Sequence, residues 1–157
     1  MISSIKAVVD TNVFIDAIFN NDQSCQSILK HKHDGDIIFC MNKEMYDELY
    51  LIFSKHLDVV KLKKDLQRLL PKFGNTLYQV EWIPRDSHTE YCEDKSDNKF
   101  IDCCIDGKIK YLITSDMHIR EVQKELDDIK SKYNLDLEIM SPFQFNRELL
   151  RIKFSKK

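Results

Sequence analysis

Hydrophobic positions fall into short, nearly continuous runs set between segments of helical period. Ala7-Val8-Val9, after Ile5, reads as a buried strand, and Asp36-Ile37-Ile38-Phe39-Cys40 as a second. Residues 77–83 predict a third strand, residues 111–114 a fourth and residues 135–140 a fifth. Runs of this kind, not alternating with polar residues, suit strands buried on both faces. Between them, apolar residues recur every three or four positions. Residues 11–20 and 24–31 predict helices after the first strand. Asn42 is placed to cap a helix running to about Ser54, with Met45, Leu49, Ile52 and Phe53 as its stripe. Residues 57–73 predict another helix, stopped by Gly74-Asn75. Residues 97–106, capped by Ser96 or Asp97 and stopped by Gly107, predict a further one, as do 117–132 and 142–152. Strands and helices in alternation predict an α/β protein, a three-layer α/β/α domain around a mostly parallel sheet of about five strands.

The chain has 157 residues, 43% of them hydrophobic, enough for one core, and no internal repeat or Pro/Gly-rich linker divides it. We expect a single domain over 1–157, with a basic tail from about residue 150. A net charge of −2 excludes a uniformly basic nucleic-acid coat and permits local patches of either sign. There is no run of about 18 apolar residues and no leader-like start, so no membrane association and a cytoplasmic location are expected. Cys25, Cys40, Cys92, Cys103 and Cys104 are odd in number and lack a C-x-x-C, which favours free thiols over a zinc or disulfide framework. His31-x-His33 lacks further nearby ligands and reads as a solvated loop.

Candidate chemistry lies where strands end. Asp10 follows the first strand directly, and Asp116 follows Leu112-Ile113-Thr114-Ser115. In open parallel sheets ligands bind at the carboxyl ends of strands. If the two strands are neighbours, both carboxylates reach one crevice, and like charges there repel unless a cation joins them. Either residue alone reads equally as a helix cap; the matched pair favours a site. Glu48 sits at the buried margin of the helix after Asn42, where Glu44 and Asp47 read as solvated. Asp97 opens the helix that contains Asp102, which lies five residues on and about 140° around the axis. Asp97 is therefore the preferred ligand, and Asp102 an outer carboxylate that orients the site.

The sequence Asp10-Thr11-Asn12-Val13-Phe14-Ile15, then Glu48, Asp97-Asn98-Lys99-Phe100-Ile101 and Tyr111-Leu112-Ile113-Thr114-Ser115-Asp116, resembles the PIN-domain family. The likeness is to its VapC-like branch, toxins of prokaryotic toxin–antitoxin pairs, and runs from about Ile5 to Pro142. It implies a metal-dependent ribonuclease holding one or two Mg²⁺ or Mn²⁺ ions with Asp10, Glu48, Asp97 and Asp116. Asn12 and Thr114 or Ser115 would orient that quartet. It also implies an RNA substrate, an antitoxin partner and a homodimer. Phe14, Ile15, Ile18 and Phe19 look more apolar than one helix face needs, which favours such an assembly. Carboxylate oxygens suit hard divalent ions, and no nucleophilic side chain is required.

Lys61, Lys64 and Arg68, with Lys63, form a basic helix face that reads as a solubility face or as phosphate contacts. The residues Arg147, Arg151, Lys153, Lys156 and Lys157 make the C-terminal stretch basic in the same way. Tyr46, Tyr50 and Trp82 fit core packing better than base stacking. A haloacid dehalogenase-type phosphohydrolase needs an acid two residues after its first aspartate, and Asn12 cannot deliver that proton. A non-catalytic PIN-like RNA-binding or protein-docking module is the alternative, which metal binding without turnover would favour.

Overall fold

A computed structural model describes residues 3–59 and 63–155. It is a three-layer α/β/α structure. The chain alternates β1 (Ile5–Val9), α1 (Thr11–Ile18), α2 (Gln23–His33), β2 (Ile37–Met41), α3 (Lys43–Val59), α4 (Lys63–Leu77) and β3 (Glu81–Trp82). A 3-10 turn at Lys95–Asp97 leads into α5 (Asn98–Gly107) and β4 (Tyr111–Ile113). Then come α6 (Met117–Arg120), a 3-10 stretch, α7 (Leu126–Tyr133), β5 (Glu138–Met140) and α8 (Pro142–Ser155). All four strand pairings are parallel, in the order β3-β2-β1-β4-β5. The chain thus starts in mid-sheet, builds outward through β2 and β3, then returns to the other side of β1 with β4. The strand order reverses between β1 and β4, and in open parallel sheets ligands bind beyond the carboxyl ends of strands at such a point.

The apolar runs become the sheet core. Ala7, Val8, Leu112 and Ile113 have no exposed surface, and Phe14 meets Phe39 edge-on at 5.4 Å. Asn42 caps α3 as its sequence predicts. Its Oδ1 accepts from the Met45 amide at 3.0 Å, and its Nδ2 donates to the Lys99 carbonyl at 2.9 Å, which fixes α3 against α5. The five cysteines are free and buried. Among the described residues, no helix is long and apolar enough to cross a membrane.

Several boundaries differ from the sequence pattern. The helix expected over 57–73 divides, with its first part completing α3 and its remainder forming α4. Gly74 does not stop α4, because Phe73 stacks on Phe53 at 4.2 Å and Leu77 reaches the core, so packing carries the helix past it. The turn comes instead at Gln79, with φ 56°, and cuts the strand expected over 77–83 to two residues. Gly107 is the last residue of α5, and Lys108 takes the left-handed conformation at φ 53°. Gly107 serves close packing, since a Cβ there would lie 2.6 Å from Ile109 Cδ1. The basic stretch after residue 150 is helical as far as Ser155.

Phe14, Ile15 and Ile18 are buried within the single chain. Ile18 packs with Phe53 and Leu69, and Phe19 lies 5.3 Å from the Phe53 ring. The apolar excess of α1 is therefore covered by α3 and α4, and the reason given for a homodimer falls away.

Candidate metal centre

Asp10 and Asp116 leave adjacent strands at the same sheet end, and one hydroxyl links them. Thr114 Oγ1 donates to Asp10 Oδ2 at 2.8 Å and accepts from the Asp116 amide at 3.0 Å. Thr114 is fully buried, so this link is shielded from competing water. Each aspartate also caps the helix that follows. The Asp116 cap bond to the His118 amide is ordinary at 2.8 Å, whereas the Asp10 bond to the Asn12 amide is long at 3.4 Å. Asp10 thus reaches the crevice with little compensation for its burial.

Glu48 approaches from α3. Its Oε2 accepts from Thr11 Oγ1 at 2.5 Å, and its Oε1 accepts from Lys99 Nζ at 3.1 Å. Asp97 closes the set from the 3-10 turn, which Asp94 caps through the Ser96 amide and hydroxyl. The electrostatics register the gathering. Burial pushes Asp10 from 3.8 up to about 6 against the pull of Thr114 and Asn12, and Glu48 and Asp97 add repulsion. Burial, then Asp94, raise Asp97 to about 6 as well; Lys99 opposes this, and Asp116 and Glu48 reinforce it. Two carboxyls resisting ionisation beside two further acids form a site that gains from a cation.

The donors are carboxylate and hydroxyl oxygens, which suits Mg²⁺ or Mn²⁺ and not a thiolate-seeking ion. Cys92 is buried nearby, but burial and then the charges of Asp97, Asp102 and Asp116 push its thiol up to about 12. The quartet is not a collapsed chelate. Among the described residues, the three groups whose ligand atoms all lie within 4.8 Å are Glu93, His118 and Glu121, all solvent-exposed. A cavity of about 550 Å³, lined by Ile18, Lys32, Lys72 and Tyr78 among others, contains none of the four acids.

The remaining site candidates are placed unevenly. The side chain of Asn12 is exposed, as is Ser115, so of the expected orienting residues Thr114 is the one buried between two of the acids. Asp102, expected to orient the site, spends its hydrogen bonds on Arg85 and Thr89. One of its oxygens takes Arg85 Nη2 at 2.6 Å and Nε at 3.0 Å, and the other takes the Thr89 amide and hydroxyl at 2.9 and 2.7 Å. It pins the polar stretch after β3 to α5. Lys61 lies outside the described residues. Lys64 and Arg68 are exposed on α4. Leu69 of α4 packs on Ile18, roughly 10 Å along α1 from Thr11 at 1.5 Å per residue. Tyr50 and Trp82 are exposed, not core, and both lie against Tyr46, at 6.1 and 5.8 Å between ring centres. Two contributors escape the sequence pattern, Thr11 and Lys99. Both are buried, and both act on Glu48 across long chain separations.

A family model described as PIN domain matches residues 6–118. A chain of the VapBC2 crystal structure from Rickettsia felis, solved with a DNA fragment from the promoter, superposes with a TM-score of 0.51 and 18% identity. The match covers 86% of the present chain and 98% of that one, and at such identity it bears on the fold alone. No curated protein sequence matches the chain.

Proposed function

The chain belongs to the PIN-domain family, and from that premise we propose that it is a divalent-metal-dependent ribonuclease, with Asp10, Glu48, Asp97 and Asp116 surrounding the cation. The observation that carries this reading is the pair of strand-end aspartates joined through Thr114, one of them buried with its carboxyl raised to about 6. When bound, Mg²⁺ or Mn²⁺ supplies positive charge for the scissile phosphate and makes water more acidic. The protein holds the surrounding groups. Thr114 fixes Asp10 relative to the Asp116 backbone, and Thr11 fixes the rotamer of Glu48 from beneath.

We infer further, from the likeness of its Asp10–Ile15 and Tyr111–Asp116 motifs to the VapC-like branch, that the chain is the toxin of a toxin–antitoxin pair and meets an antitoxin protein; the VapBC2 neighbour has a compatible fold. A homodimer has the family likeness alone in its favour. The test is cleavage of single-stranded and structured RNA with added Mn²⁺ or Mg²⁺, with chelator and with Asp10→Asn as controls. Metal-dependent cleavage that Asp10→Asn abolishes is the expected result. Manganese binding without turnover of any RNA would favour the docking-module alternative instead.

A further inference from the structure

Lys99 is 5% exposed, yet it carries a charge into an acidic pocket. A buried ammonium persists only when paired and hydrogen-bonded. Its Nζ lies 3.1 Å from Glu48 Oε1 and 2.6 Å from the Ser96 carbonyl, and 4.7 Å from the centre of the Phe100 ring. Its own carbonyl is held by Asn42 Nδ2 at 2.9 Å, so backbone and side chain both anchor it to α3. This is a built ion pair between α5 and α3, not a surface lysine that happens to swing inward.

We propose that Lys99 is an internal counter-ion occupying one cation position of the acidic pocket, so that the pocket takes a single divalent ion and the charge of Glu48 is largely committed to Lys99. The inference rests on the metal-site reading above and refines the part Glu48 plays in it. Four carboxylates against one ammonium leave three formal negative charges. One divalent ion reduces these to one. A second would make the pocket positive while an ammonium sat inside it, and like charges in a site shielded from water repel strongly. Lys99 is thus a positioning residue, acting on metal number through Glu48.

Calorimetric titration of Mn²⁺ into the metal-stripped full chain, with electron paramagnetic resonance of the bound ion, tests this. The wild type is expected to bind one Mn²⁺ with an uncoupled spectrum, and Lys99→Arg to do the same. Lys99→Met should bind two, with the spectrum of a spin-coupled pair. The double variant Glu48→Gln/Lys99→Met removes both charges of the pair and should again bind one ion, within about tenfold of the wild-type affinity. Two ions in the wild type, a single ion in folded Lys99→Met, or lost binding in the double variant would each overturn the proposal. Should Lys99→Met not fold, the wild-type count and the charge-neutral double variant decide. If the wild type binds no Mn²⁺ at all, the metal-site reading itself fails, and this inference with it.

Discussion

Two aspartates with similar burial have opposite surroundings. Asp102, on α5, is wholly buried, and Arg85 and Thr89 supply four donor contacts to its two oxygens. Asp10, at the end of β1, is 3% exposed and receives one hydroxyl and one long amide contact. Burial is common to both, so burial does not mark the functional acid. The supply of donors does. A carboxylate saturated by fixed partners is a structural fastener, whereas one buried with few partners beside other acids keeps coordination capacity for something else. Asp106, one turn after Asp102, follows the fastener pattern, taking the amides of Asp86 and Ser87 and the Ser87 hydroxyl.

Removing each acid should therefore fail differently. Asp102→Ala breaks a buried pair and leaves Arg85 and Thr89 without an acceptor, so unfolding free energy in urea should fall by about 3 kcal/mol or more. Asp10→Asn and Asp116→Asn should lower RNA cleavage by more than about a hundredfold, beyond what orienting residues alone cost, with the circular dichroism spectrum unchanged. If folded Asp102→Ala lost metal-dependent activity to the same degree as Asp10→Asn, the division between fastener and ligand would collapse.

The sheet was legible because its signal is local. Continuous apolar runs mark the strands, and the matched strand-then-aspartate contexts of Asp10 and Asp116 place both at one sheet end once β1 and β4 pair. The elements around α4 were not legible, because Phe73 and Leu77 extend the helix past Gly74 by packing against residues distant in sequence. The same reason hid the partners of the acids. Glu48 meets Thr11 and Lys99 at separations of 37 and 51 residues, and Asp102 meets Arg85 through a loop of no periodicity. Helical spacing could set Asp102 apart from Asp97 by angle, but could not say what fills the other side.

A smaller effect of Asp10 is its dependence on pH. The carboxyl of Asp10 is raised from 3.8 to about 6 in the folded chain, so between those values the folded state holds more protons than the unfolded one. Raising the pH through this window costs stability, and above about pH 6 the cost is fully present. At full ionisation this cost is roughly 3 kcal/mol, from which the Asn variant loses about 1 kcal/mol of hydrogen bonding to Thr114. Without metal at pH 7.5, Asp10→Asn should thus be more stable than the wild type by roughly 1–2 kcal/mol, and the gap should close toward pH 4. Added Mn²⁺ should raise the wild-type melting temperature at pH 7.5 by a few degrees and leave that of the variant unmoved. A wild-type melting curve indifferent to both pH and Mn²⁺ would remove the electrostatic basis of the site.

The smallest effect belongs to Asp106, which tests whether donor supply sorts the acids when burial is only partial. Its side chain is half-buried, and its partners are two loop amides and a hydroxyl, with no cation among these contacts. Asp106→Asn keeps one good acceptor oxygen and loses the charge assistance of the others, so stability should fall by about 1 kcal/mol, well below the loss for Asp102→Ala. Mn²⁺ affinity and its spectroscopic signature should match the wild type, because the residue faces the 85–87 stretch and not the four acids. Urea unfolding with and without Mn²⁺ on the same samples measures both quantities. A variant that unfolded as easily as Asp102→Ala would show that the loop attachment, not the buried charge pair, supplies the larger stabilisation. One that lost Mn²⁺ binding would show that the loop holds α5, and with it Asp97, in the position the site requires.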